Sequence, residues 1–231
     1  MNIEYRFTLD DGATHKFVVD LDREFDATVD RARHAPWTKL AYRQCSNCPL
    51  RADQFQHCPV ALDLEPIASQ FANIISYEAV NVQVNAPERS YFKRCDVQTA
   101  LRSLIGLVMA TSACPILSRL KSLARSHLPF STVEETLFRT TGAYLLGQYF
   151  VYKNGGEADL DLTGLDALYR ELQTLNACFK TRIDSASHAD ANMNALGSLF
   201  ALSMAVSFSL EDKLEELKEQ FFTPKSAGAT S

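Results

Sequence analysis

No stretch of this sequence stays apolar for long. The longest run, LIGLVMA at residues 104 to 110, is far too short to cross a bilayer, which argues against a membrane-spanning protein. The opening residues, MNIEYRFTLDDG, carry charge at once and hold no apolar core followed by a small-residue cleavage site. No secretory leader is expected on that reading, and the cytoplasm is the default location. Basic clusters are lacking too. The formal net charge is -5 and Lys and Arg are scattered; even RLKSLARSH falls short of a polyanion-binding footprint. Nucleic acid and anionic membrane are therefore disfavoured as partners. There is no glycine-rich phosphate loop, no HExxH and no GxSxG, so the common nucleotide, metalloprotease and hydrolase chemistries have no anchor here. No internal repeat is visible.

What is present reads as an ordinary globular chain. With 231 residues, 46% of them apolar and 22% charged, it can bury a substantial core. Ile3, Tyr5 and Phe7 alternate, DDG at 10 to 12 is a turn signal, and His15, Phe17 and Val19 alternate again, which predicts a hairpin. Residues 22 to 36 suggest a short helix, and WTKLAYRQ at 37 to 44 a third strand. Leu64, Ile67, Phe71 and Ile74 or Ile75 share one side of a helix over 60 to 75, with Pro66 arguing for a kink. AVNVQVN and RSYFKRC form a second hairpin around APE.

From residue 96 the pattern is helical. VQTALRSLIGLVMATSA is apolar nearly all round and predicts a buried helix, and PILSRLKSLARSHL a second, ended by Pro129. STVEETLFRTTGAYLLGQYFVYK opens with Ser131 and Glu134 at capping-box spacing, and Thr163 with Asp166 repeats it after the loop NGGEADLDLTG. Met193, Leu196, Phe200, Ser203, Ser207, Leu210, Leu214, Leu217 and Phe221 alternate steps of three and four. Such a stripe is either an ordinary core face or a dimer seam, so residues 193–221 are a candidate contact for a protein partner or a second copy. The expectation is an α+β fold: a β-rich part over 1–95 with a cysteine cluster, a helical part over 96–222 packed with it as one unit, and a disordered tail over 223–231.

The chemistry concentrates in cysteine. Cys45-x2-Cys48 is a knuckle that can aim two sulfurs at one centre. Cys58 precedes Pro59 and Cys114 precedes Pro115, and proline suits the first position of a helix, so both thiols are expected at helix starts. The positive end of the helix dipole would lower their pKa and favour thiolates. In a reducing compartment, cysteines at such spacing are more often ligands or catalysts than disulfides. The expected site is Cys45, Cys48, Cys58 and Cys114 around zinc, with an iron–sulfur cluster as the alternative cofactor. Cys95 and His57 are reserve candidates for the fourth ligand, inert buried thiols and a redox pair remain open, and Cys178 is expected in the core.

His127 precedes a helix start bearing Glu134 and Glu135, where a general acid–base pair could form and support a thiol- or metal-dependent enzyme. Asp184 and His188 are a weaker pair of the same kind. The segments CSNCPL, HCPVA, ATSACP, HLPFSTVEETLFR and YLLGQYF, in this order, resemble a family of uncharacterised bacterial proteins, a domain of unknown function. The resemblance spans most of the chain and implies a bacterial cytosolic protein. It draws attention to Cys45, Cys48, Cys58, Cys114 and His127 and brings no activity with it.

Overall fold

The computed structural model describes residues 1–23, 33–184, 190–208 and 210–218. The short helix expected within 22 to 36, His188 and the tail from 223 onward lie wholly or largely outside them.

Two hairpins make one antiparallel sheet. Strands β1 (Asn2–Leu9) and β2 (Thr14–Asp20) pair through Tyr5 opposite Phe17, and Gly12 takes the turn at φ 89°, a conformation that side chains disfavour. Strands β3 (Ala79–Ala86) and β4 (Arg89–Asp96) pair likewise, and β1 joins β3, giving the order β2-β1-β3-β4. Period-two alternation puts Ile3, Tyr5, Phe7, Val80, Val82 and Val84 on one buried face. Against that core pack α1 (Pro59–Gln70) and α2 (Val97–Ala110). The aromatic rings of Phe7 and Phe71 meet edge-on at 5.2 Å, which ties the sheet to the end of α1.

The helical part continues through α3 (Lys121–Arg125), α4 (Val133–Lys153), α5 (Thr163–Asp184), α6 (Ala191–Phe208) and α7 (Leu210–Lys218). Helix α6 packs between α5 and α2. One continuous set of buried apolar residues runs from Ile3 in the sheet to Leu196 in α6. The α+β architecture is as expected.

Local expectations needed correction where side chains compete for the backbone. The predicted strand at 37–44 is a 3-10 turn, Pro36–Thr38, followed by an isolated bridge between Lys39 and His57. The carbonyls of Trp37, Lys39 and Leu40 accept from Arg182 instead of from a neighbouring strand. Helix α2 stops at Ala110 because the hydroxyls of Thr111 and Ser112 turn back to the carbonyls of Leu107, Val108 and Met109. The next predicted helix is a 3-10 turn, Leu117–Leu120, and the five-residue α3, beyond which Arg139 occupies the carbonyls of Leu123 and Ser126. The capping box of α4 is Thr132 with Glu135, one residue later than the predicted Ser131 with Glu134. Phe130, at φ 60°, reverses the chain there, and the Ser131 hydroxyl pairs with that of Thr136. At α5 the first N–H groups, of Thr163 and Gly164, donate to Asp159 from the preceding loop.

Candidate functional site

The knuckle forms as a tight turn in which the Cys48 N–H donates to the Cys45 carbonyl at 3.0 Å. Asn47 and Arg43 fasten it to α5 by donating to the carbonyls of Glu171 and Thr181. Cys58 is the N-cap of α1 with Pro59 at the first helical position, as the Cys-Pro junction predicts. Its N–H donates to the Thr38 carbonyl at 2.8 Å, so the α1 start is pinned to the segment that Arg182 holds. Cys114 opens a helical turn that closes through Ser118 N–H to its carbonyl. All six cysteines are free thiols.

Electrostatics bring the distant cysteines into one neighbourhood. A charge on Cys58 or Cys48 bears on Cys114, and charges on Cys58, Cys178 and Cys48 bear on Cys45. Cys114, far along the chain, thus lies near enough to Cys58 and Cys48 for their charges to act on it. Cys178, assigned to the core from its place beside Phe179, is half-buried and joins the same neighbourhood, its sulfur 4.0 Å from the Ser46 hydroxyl. Cys95 does not belong to it: Asp96, Lys93 and Arg102 are the charges that act on it, at the sheet edge. His57 turns its Nδ1 to the Thr38 hydroxyl at 2.8 Å and its ring toward His34.

The expected lowering of the helix-start thiol pKa values is overturned. Burial pushes the Cys45 thiol up to about 12. Burial raises Cys58 as well, against the opposing pull of the Ala61 and Val60 backbone N–H groups and the Arg182 guanidinium. Cys114 follows the same pattern, raised by burial and held back by the N–H groups of Leu117 and Ile116. The dipole and N–H effects exist, but desolvation of a thiolate is larger. Among the described residues no three His, Cys, Asp or Glu side chains are grouped so as to hold a metal ion.

Arg182 is the residue that sequence reading missed. It is 1% exposed, and one guanidinium nitrogen reaches the carbonyls of Trp37 and Lys39 while another reaches Leu40. It also brings positive charge to Cys45 and Cys58. In KTRID it has the look of a surface helix residue; the only signal was its spacing with Leu175, Phe179 and Ile183 on the apolar side of α5.

His127 pairs with neither Glu134 nor Glu135 in an acid–base couple. Its Nε2 lies 2.6 Å from the Tyr5 hydroxyl, which lies 2.8 Å from the Ser103 hydroxyl, itself an acceptor for Phe130 N–H at 3.1 Å. Burial first, and then the Arg139 charge, push its pKa down to about 3, so the ring is neutral near pH 7. The two cavities beside it are lined by no cysteine.

In the stripe proposed as a seam, Leu196, Ser203 and Leu217 are buried within the single chain, while Ser207, Leu210 and Phe221 lie outside the residues whose side chains are described. The conspicuous exposed apolar surface is on the second half of α4, where Leu146, Phe150 and Tyr152 are more than half exposed. No described helix is long and apolar enough to cross a membrane.

Fold and site together define an α+β protein with a neighbourhood of buried and half-buried thiols. The chain belongs to the family described as Domain of unknown function (DUF6901), whose model matches residues 3–222. No match was found to a curated protein or to a solved structure.

Proposed function

We propose that this chain is a metal-binding protein in which the thiolates of Cys45, Cys48, Cys58 and Cys114 hold a structural zinc ion between its two parts. The observation that carries the reading is the electrostatic neighbourhood shared by Cys114 and the first three cysteines. A soft sulfur donor set suits zinc or an iron–sulfur cluster. Four thiolates around a divalent ion leave net negative charge, and the Arg182 cation and the N–H groups at Cys58 and Cys114 would offset it. A cluster is the other group these donors would take, because its irons each accept a separate thiolate and need no three sulfurs on one ion. The raised thiol pKa values mean that metal binding must displace protons, so affinity should fall as pH is lowered.

Elemental analysis and an absorbance spectrum of protein purified anaerobically under reducing conditions test this. Near-stoichiometric zinc in a colourless protein is expected, with a lower unfolding temperature after chelation. Cys114→Ser should lose the metal and Cys95→Ser should keep it. Iron with a visible absorbance band would replace zinc by a cluster. Substoichiometric zinc and iron, with unfolding unchanged by chelator, would overturn the reading.

A second reading, contact with another copy of the chain, is favoured by α4. Between Arg139 and Lys153 this helix has no charged residue, and its outer half exposes Leu146, Tyr149, Phe150 and Tyr152. An uncharged apolar face needs no charge-complementary partner and can pair with itself. Light scattering should give a dimer that Leu146→Glu with Phe150→Glu converts to monomer. A wild-type monomer at high concentration would end this reading.

A further inference from the structure

Helices α2, α5 and α6 do not close completely against one another. A cavity of about 170 Å³ lies beside Gly106, Ala110, Leu120, Tyr169, Leu199 and Leu202, and a second of about 90 Å³ shares all six of these residues and extends toward Leu172 and Asn176. At the opposite end the first cavity reaches His127 and Arg139, which also line a more polar cavity of about 260 Å³ opening toward Arg89 and Met1. The space therefore runs from a polar, cationic mouth to a narrow apolar end.

The mouth has unmatched donors. One Arg139 nitrogen, Nη2, donates to the carbonyls of Leu123 and Ser126 at 3.0 and 2.7 Å; among the described residues no protein acceptor takes its Nε or Nη1 hydrogens, and the Glu135 carboxylate acts on it through its charge without an ion-pair contact. Burial lowers the pKa of this guanidinium, a sign that its charge is poorly solvated. His127 uses Nε2 on Tyr5 and has no described partner at Nδ1. Arg102 lines the same cavity and makes no ion pair among the described residues. A half-buried guanidinium that forms no ion pair among the described residues, beside an apolar slot, is matched by a ligand that is anionic at one end and apolar along its body.

We propose that this cavity binds a medium-chain aliphatic carboxylate, with its carboxylate on Arg139 and His127 and its chain between α2, α5 and α6. A carboxylate can accept a charge-assisted hydrogen bond from a guanidinium nitrogen that Leu123 and Ser126 leave free, and a second from His127, which a neutral head group does not reproduce. The apolar lobes exclude water from the chain and reject a second charge. This site is separate from the thiol neighbourhood and does not depend on a metal.

Calorimetric titration of the full chain with sodium octanoate near pH 7.5 tests it, with octanol as the head-group control and acetate as the chain control. Octanoate should bind saturably at one site, at least tenfold more tightly than octanol or acetate. Arg139→Gln should weaken octanoate at least tenfold and leave octanol unchanged. Arg139 also ties the end of α3, so circular dichroism must verify that this variant folds. Ala110→Leu, which fills the shared apolar stretch and keeps the charge, should weaken octanoate and octanol alike and serves if Arg139→Gln does not fold. Equal binding of octanoate and octanol, octanoate affinity unchanged in Ala110→Leu, or no saturable octanoate binding would each overturn the proposal.

Discussion

Arg182→Leu is expected to destabilise the protein by at least about 3 kcal/mol, a large fraction of a typical domain's stability. The substitution keeps an aliphatic stem but leaves the carbonyls of Trp37, Lys39 and Leu40 without the cation from which they now accept hydrogen bonds. Buried acceptors left unpaired cost more than the bonds contributed, because the unfolded state returns them to water. Arg182→Lys should recover only part of the loss, since an ammonium is a compact point charge and cannot span three carbonyls as a planar guanidinium does. Urea unfolding measures both. A midpoint unchanged in Arg182→Leu would show that the 36–40 segment is held by other contacts. The same variant should weaken the zinc binding proposed above, as the segment's Thr38 carbonyl anchors Cys58 N–H.

The second large effect concerns acid. His127 has a folded pKa of about 3, against 6.5 for the exposed side chain, and burial is the main cause. Between those values the unfolded chain takes up a proton that the folded protein refuses. The histidine's contribution to stability is therefore complete above pH 6.5 and is lost progressively as pH falls toward 3, on the order of 5 kcal/mol for this one group. Carboxylates titrate in part of the same range, so the informative quantity is the difference from His127→Gln, which cannot charge but can still bond to the Tyr5 hydroxyl. Wild-type stability should fall more steeply between pH 6.5 and 4 than that of the variant. Identical slopes would mean that His127 is solvated or paired with an acceptor able to stabilise its charged form.

Both effects centre on side chains whose role depends on what lies opposite them in space. The Tyr5 hydroxyl meets His127 across 122 positions of sequence, and neither segment names the other as its partner. Periodicity identified Tyr5 as inward-facing on β1, because side chains of a strand alternate whatever the partner. It could not say that the inward end would be a hydroxyl bonded to an imidazole. His127 was legible as a candidate but its partner was not: Glu134 and Glu135 are close in sequence, whereas the chain reversal at Phe130 and the one-residue shift of the cap send the carboxylates elsewhere.

By itself the sequence determined the two hairpins, the Cys-Pro start of α1 and the buried character of α2. These rest on local physics: strand and helix periods, a glycine turn at positive φ, and proline's fit to a first helical turn. The knuckle at Cys45 and Cys48 was equally local. Only the tertiary structure decided that Cys114 and Cys178 share the knuckle's surroundings, that Arg182 stands among them, and that burial outweighs the helix-start effect on the thiols. Proximity of residues far apart in sequence depends on how helices pack, and a pKa depends on the solvent that packing removes. Neither quantity is written in the spacing of the cysteines.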